Sequence, residues 1–115
     1  PCIIWNDPPQ QAPALFGGFQ IIVQAIIRHR LIHFLHQERQ QPSVAPYRLI
    51  CHDGEWYLVA VSKDRIQVFT LSTITDVVMT VSSFVRNRHI DHIMQDPRFM
   101  RALPHFNYIS GIIHK

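Results

Sequence analysis

Histidines are the residues of this chain whose number and spacing first suggest chemistry. Of the eight, His29, His33 and His36 lie close together, and His89 and His92 are three residues apart. A zinc site needs three or four converging ligands, usually with help from cysteine or carboxylate groups. Because His29 falls on a predicted helix and His33 on a predicted strand, the two do not share a helical spacing. We expect structural histidines, with no metal or other cofactor.

Patterns typical of an enzyme are missing from the sequence. It has no Gly-x-Ser-x-Gly, no glycine-rich phosphate loop and no pair of carboxylates within one motif. Cys51 precedes His52, but adjacent residues of a strand point to opposite faces of the sheet, so they cannot form a catalytic pair. We therefore expect a binding protein and not an enzyme.

A second set of polar residues is typical of a surface that binds an anion. Such a surface needs guanidinium, imidazole or hydroxyl groups close together, and aromatic rings can stack against a base. We expect six residues of the open sheet face to form the ligand site: His33, His36, Arg48, Tyr57, Gln67 and Thr73. The alternative is that Arg48 and Gln67 only face solvent.

The composition fits one small globular domain. Of the 115 residues, 47% are hydrophobic, which is enough for a modest core. A net charge of +3 suits an anionic ligand but is too small to establish binding to nucleic acid. The most apolar run, Phe19 to Ile27, is far shorter than the roughly 20 residues that cross a bilayer. Two cysteines without a Cys-x-x-Cys pair fit a reducing cytosol, so we expect a cytoplasmic protein without membrane contact.

Hydrophobic periodicity divides the chain into three parts. Residues 1–18, rich in proline, are predicted to be an arm or linker whose tip, Ile3 to Trp5, docks on the body. Residues 19–84 form the body, in which 38–45 is predicted to be a polar loop, and residues 85–115 form a helical extension with a strand or tail at 106–113. The predicted elements are helices at 19–30 and on both sides of Pro97, and strands at 31–37, 46–52, 56–61, 65–71 and 76–82.

The middle of the chain resembles a known family, the WYL domain. The residues that carry the resemblance are Asp53-Gly54, Trp56-Tyr57-Leu58, Ala60 and Phe69-x-Leu71-x-x-Ile74. The likeness covers roughly residues 26–84. It implies a small five-stranded barrel of the SH3/Sm-like kind with a lead-in helix. It also implies a bacterial transcription regulator in which the barrel binds a small or nucleic-acid-like ligand and alters DNA binding by a helix-turn-helix. Because no helix-turn-helix precedes the barrel, we expect a fragment or a protein that has lost its DNA-binding part.

Two positions depart from the family pattern. The family often has arginine two places before the phenylalanine of strand four and another just before the closing isoleucine, where this chain has Gln67 and Thr73. Their loss removes two charge-assisted contacts of about 1.5–3 kcal/mol each. The ligand is then neutral, or the positive charge comes from Arg48, Arg65 or the pair Arg86 and Arg88.

These observations favour a ligand-sensing domain and leave two alternative hypotheses open. The partner of a sensor would be a nucleotide or single-stranded nucleic acid, with DNA contacted only through a head outside this chain, and the domain would be a homodimer. The first alternative is a docking or dimerisation module without a small ligand, using exposed Phe99, Met100 and Phe106. The second is a nonspecific binder of RNA or single-stranded DNA, whose affinity would fall steeply with salt.

Overall fold

Alternating and fully apolar stretches of the sequence form the strands of one sheet, with helices on both faces. The computed structural model describes residues 3–5 and 18–102. In chain order the elements are β1 (Ile3–Trp5), α1 (Phe19–Arg28), β2 (Arg30–His36), β3 (Arg39–His52), β4 (Glu55–Ser62), β5 (Arg65–Thr70), a 3₁₀ turn (Leu71–Thr73), β6 (Ile74–Ser83), α2 (Arg88–Met94) and α3 (Pro97–Ala102).

The strand order is β5-β4-β3-β2-β6, with antiparallel pairing throughout and β1 added parallel to β3. The predicted mainly β fold with flanking helices is confirmed, and β1 adds a sixth strand. The five antiparallel strands form an open sheet, and no backbone pairing joins its end strands β5 and β6 within residues 18–102. The predicted arm contributes β1, whereas its remainder and the segment at 106–113 lie outside the described residues.

β3 is long and bent, and it belongs to both halves of the sheet. Its first part pairs with β2 and its second part with β4, with register shifts near Ser43, where φ is 54°, and at Tyr47. These bulges lie next to Pro42 and Pro46, which lack the N–H that a regular ladder would need. The prediction of a polar loop at 38–45 is therefore wrong, because exposed polar side chains on a backbone-paired strand resemble a loop in sequence.

Three hairpins share one kind of turn. The residue pairs Gln37-Glu38, Asp53-Gly54 and Lys63-Asp64 all have positive φ, which defines two-residue type I′ turns. The second and third turns fall in the gaps between the predicted strands, at 53–55 and 62–64. The first was missed because glutamine and glutamate are not typical residues of this turn.

Two hydrophobic cores lie on opposite faces of the sheet. α1 covers the first, where Trp56 and Leu58 are buried and the Trp56 ring meets Phe19 edge-on at 5.3 Å. α1 ends at Arg28, two residues earlier than predicted, because His29 adopts a left-handed conformation and caps the helix. α2 and α3 cover the second core. Phe99 is 0% exposed there, so the expectation that it forms an exposed docking surface is wrong.

The first turn gives a stability prediction. Glu38→Gly should raise the free energy of unfolding by about 1 kcal/mol, because φ of 66° at this residue is strained for any side chain with a Cβ. Gly54→Ala, at φ of 77° in the second turn, should lower it by a similar amount. Urea unfolding measures both. A Glu38→Gly protein no more stable than the parent would contradict the assigned turn.

Candidate functional site

A polar groove lies between the tip of the β2–β3 hairpin and the end of β5. Its volume is about 510 Å³. Three of the six residues predicted for the ligand site line it, namely His36, Gln67 and Thr73. They are joined by Gln37, Arg39, Gln41, Val68, Phe69 and Thr70. The structure thus brings half of the predicted site into one concave surface.

The hairpin fixes one wall of the groove. His36 and Arg39 are cross-strand partners on either side of the first turn, so their side chains start from neighbouring backbone positions. The imidazole of His36 meets the Phe69 ring edge-on at 5.0 Å, and Phe34 packs on the same ring from the core at 5.1 Å. Phe69 therefore links the two walls of the groove to the first core.

The opposite wall offers neutral hydrogen-bonding groups. The side chain of Gln67 donates to the Ser62 carbonyl at 3.5 Å, and the Thr73 hydroxyl donates to the Thr70 carbonyl at 2.6 Å. The amide oxygen of Gln67 and the hydroxyl oxygen of Thr73 can still accept bonds from a ligand. Thr73 also closes the 3₁₀ turn that leads from β5 into β6.

His36 supplies a neutral imidazole. Burial lowers the pKa of His36 below its ordinary value, so the ring is uncharged at neutral pH. A neutral imidazole has one donor and one acceptor nitrogen and can bind to either kind of group on a base or sugar. The cationic charge of the groove at this pH therefore comes from Arg39.

Arg39 was missed by the sequence reasoning. It falls within the segment that was taken for a loop, and its only signal is its position directly after the two-residue turn Gln37-Glu38. Among the residues that the structure describes, the groove lining contains no aspartate or glutamate. Arg39 thus supplies a positive charge close to the positions where the family often has arginine and this chain has Gln67 and Thr73.

The other three predicted residues lie elsewhere. Tyr57 packs against the second core, where burial, and then the charges of Glu55 and Asp53, raise the pKa of its phenol. His33 pairs with Val78 on β6 and does not line the groove. Arg48 lines a separate cavity between α1, β3 and the segment before α2.

Two further findings limit the kinds of site in the part of the chain that the structure describes. No group of three or more histidine, cysteine, aspartate or glutamate side chains is placed to hold a metal ion there. None of the helices in the same part is long and apolar enough to cross a membrane.

Comparison with known proteins identifies the family to which the chain belongs. A sequence model of the WYL domain matches residues 18–79, more than half of the chain, and no curated protein matches. Among solved structures, Proteasome accessory factor B/C (PafBC) of Arthrobacter aurescens is similar, with a TM-score of 0.57 and 24% sequence identity over 67% of this chain. The match spans only 13% of that protein, and at this identity it speaks for the fold alone. The match over residues 18–79 shows that the chain belongs to the WYL domain family.

Proposed function

We propose that this WYL domain is the ligand-sensing part of a bacterial transcription regulator and that the groove binds a nucleotide or a short single-stranded nucleic acid. The observation that carries the proposal is the convergence of Arg39, His36 and Gln67 on one groove, whose described lining has no carboxylate. A phosphate would bind to the guanidinium, and a base or sugar would bind to the imidazole and amide groups.

The proposed mechanism is a shift between conformations. The groove joins the β2–β3 hairpin to the 3₁₀ turn before β6, so a ligand that contacts both walls favours the arrangement in which they are close. In a regulator this arrangement would set the placement of an attached or partner DNA-binding head. A ligand drawing the walls together would also favour closure of the sheet into an SH3/Sm-like barrel. The role is one of binding without catalysis, in the cytoplasm.

Arg39→Ala tests the groove. Removing the guanidinium should weaken binding of a nucleotide or a short DNA strand about tenfold at low salt, the loss expected for one charge-assisted hydrogen bond at an exposed site. Isothermal titration calorimetry with a panel of nucleotides and short single-stranded RNA and DNA measures the change. Arg88→Ala, which removes an exposed arginine outside the groove, is the matched control and should bind like the parent.

Salt dependence separates this proposal from nonspecific nucleic-acid binding. For a single strand, one phosphate contact gives a slope of about −0.7 when the logarithm of affinity is plotted against the logarithm of salt concentration. A nonspecific binder neutralises several phosphates and gives a steeper slope. A steep slope, or equal losses in Arg39→Ala and Arg88→Ala, would count against the groove. Tight binding that is unchanged in both Arg39→Ala and Arg88→Ala would also exclude the groove as the binding site.

A second candidate function is association through β6, with the homodimer as its simplest form. β6 is an end strand of the sheet, and in the sheet of the described residues it pairs only with β2. Val81 on this strand is 91% exposed, and Val85 just beyond it is 92% exposed. An end strand with exposed valines and a single charged residue, Asp76, is a template for pairing with another strand.

Val81→Lys tests this association. If two copies pair along β6, a lysine on each strand should shift the protein from dimer to monomer, because two like charges would face each other across the interface. Sedimentation velocity at several concentrations measures the shift. Gln24→Lys adds the same charge on the exposed face of α1 and should leave the dimer intact. A parent protein that is monomeric at every concentration would remove this candidate.

A further inference from the structure

Arg48 lies in a second cavity, which shares no lining residue with the groove. The cavity is about 350 Å³ in volume and is bounded by the last turn of α1, the bulge of β3, and the segment around α2. Its lining residues are Ile26, Ile27, His29, Tyr47, Arg48, Arg86 and Asp91. Two arginines and one aspartate therefore line the same space.

Arg86 is held in a fixed position. Its guanidinium donates two bonds to the carboxylate of Asp91 and one to the Tyr47 carbonyl at 3.1 Å. Its central carbon also lies 4.4 Å from the centre of the Tyr47 ring. Within the described part of the chain these bonds use three of the five N–H groups of Arg86, which leaves two for an oxyanion. A guanidinium that is already ordered loses little entropy when it binds.

Two isoleucines give the same cavity an apolar part of its lining. Ile26 is buried and Ile27 is 59% exposed, and both lie in the last turn of α1. The end of a helix carries partial negative charge, so an anionic group is favoured beside the arginines and disfavoured beside this turn. The cavity lining thus combines cationic and apolar residues.

We propose that this cavity binds a small organic anion, a carboxylate or phosphate ester with a short aliphatic tail. The oxyanion head contacts Arg48 and Arg86, and the tail packs on Ile26 and Ile27. Arg48 belongs to the sheet, the two isoleucines belong to α1, and Arg86 precedes α2. An anion that contacts all of these residues therefore ties α2 to the sheet. This site is separate from the groove and does not depend on its function.

Nuclear magnetic resonance titration of the full chain tests the site. Butyrate and butyl phosphate are the probes, and acetate and inorganic phosphate are their controls without a tail. We expect saturable shifts of amide signals around Ile26, Arg48 and Asp91, with slower hydrogen exchange in α2, and tighter binding of the probes with tails. Which of the two probes binds more tightly identifies the head group.

Two variants give the decisive comparison. Arg48→Gln should weaken both probes about tenfold or more, the loss of a charge-assisted contact. Ile27→Gln, at a position that is 59% exposed, should remove the advantage of probes with tails. Arg39→Ala, which changes the groove, should leave this binding unchanged. Absence of saturable shifts up to about 10 mM, or equal affinity in Arg48→Gln and the parent, would overturn the proposal.

Discussion

The bend of β3 is the constraint on which the rest of the structure depends. This one strand pairs with β2 in its first part and with β4 in its second, so the direction of each half of the sheet follows from its two bulges. Extra residues at a bulge turn the strand and increase its twist. Without that turn, the hairpin tip and β5 would lie at distant points of a flat sheet, and neither wall of the groove would face the other.

The bulge at Tyr47 has a second effect on the opposite face. It places Tyr47 in the core beneath α2, where its hydroxyl accepts a bond from the Asn87 backbone and its carbonyl accepts one from Arg86. Arg48, the next residue, is directed to the cavity bordered by α1. The bulge at Tyr47 therefore directs Arg48 away from the groove and also forms the cationic cavity that Arg48 lines.

Much of the fold follows from local patterns. The apolar spacing of α1, the glycine of the second turn and the apolar β4 are all strong signals, and each element lies close to its predicted place. The first part of β3 could not be predicted, because its polar side chains are exposed and its pairing is carried by the backbone. Half of the six residues predicted for the ligand site line the candidate groove, and local patterns account for these three. His36 and Gln67 follow from strand positions and Thr73 from its place just before the closing isoleucine of the family pattern. Arg39 depends on a turn without typical turn residues, and the position of Arg48 depends on a bulge.

A map of the ligand-contacting residues tests the central claim that β3 brings two distant segments into one binding groove. The measurement is a nuclear magnetic resonance titration of the chain with the tightest nucleotide or short single strand from the calorimetric panel, following every backbone amide signal. The account predicts that signals from residues 36–41 and 67–73 shift together with one dissociation constant. Shifts confined to one of these segments, or centred on other residues, would contradict it.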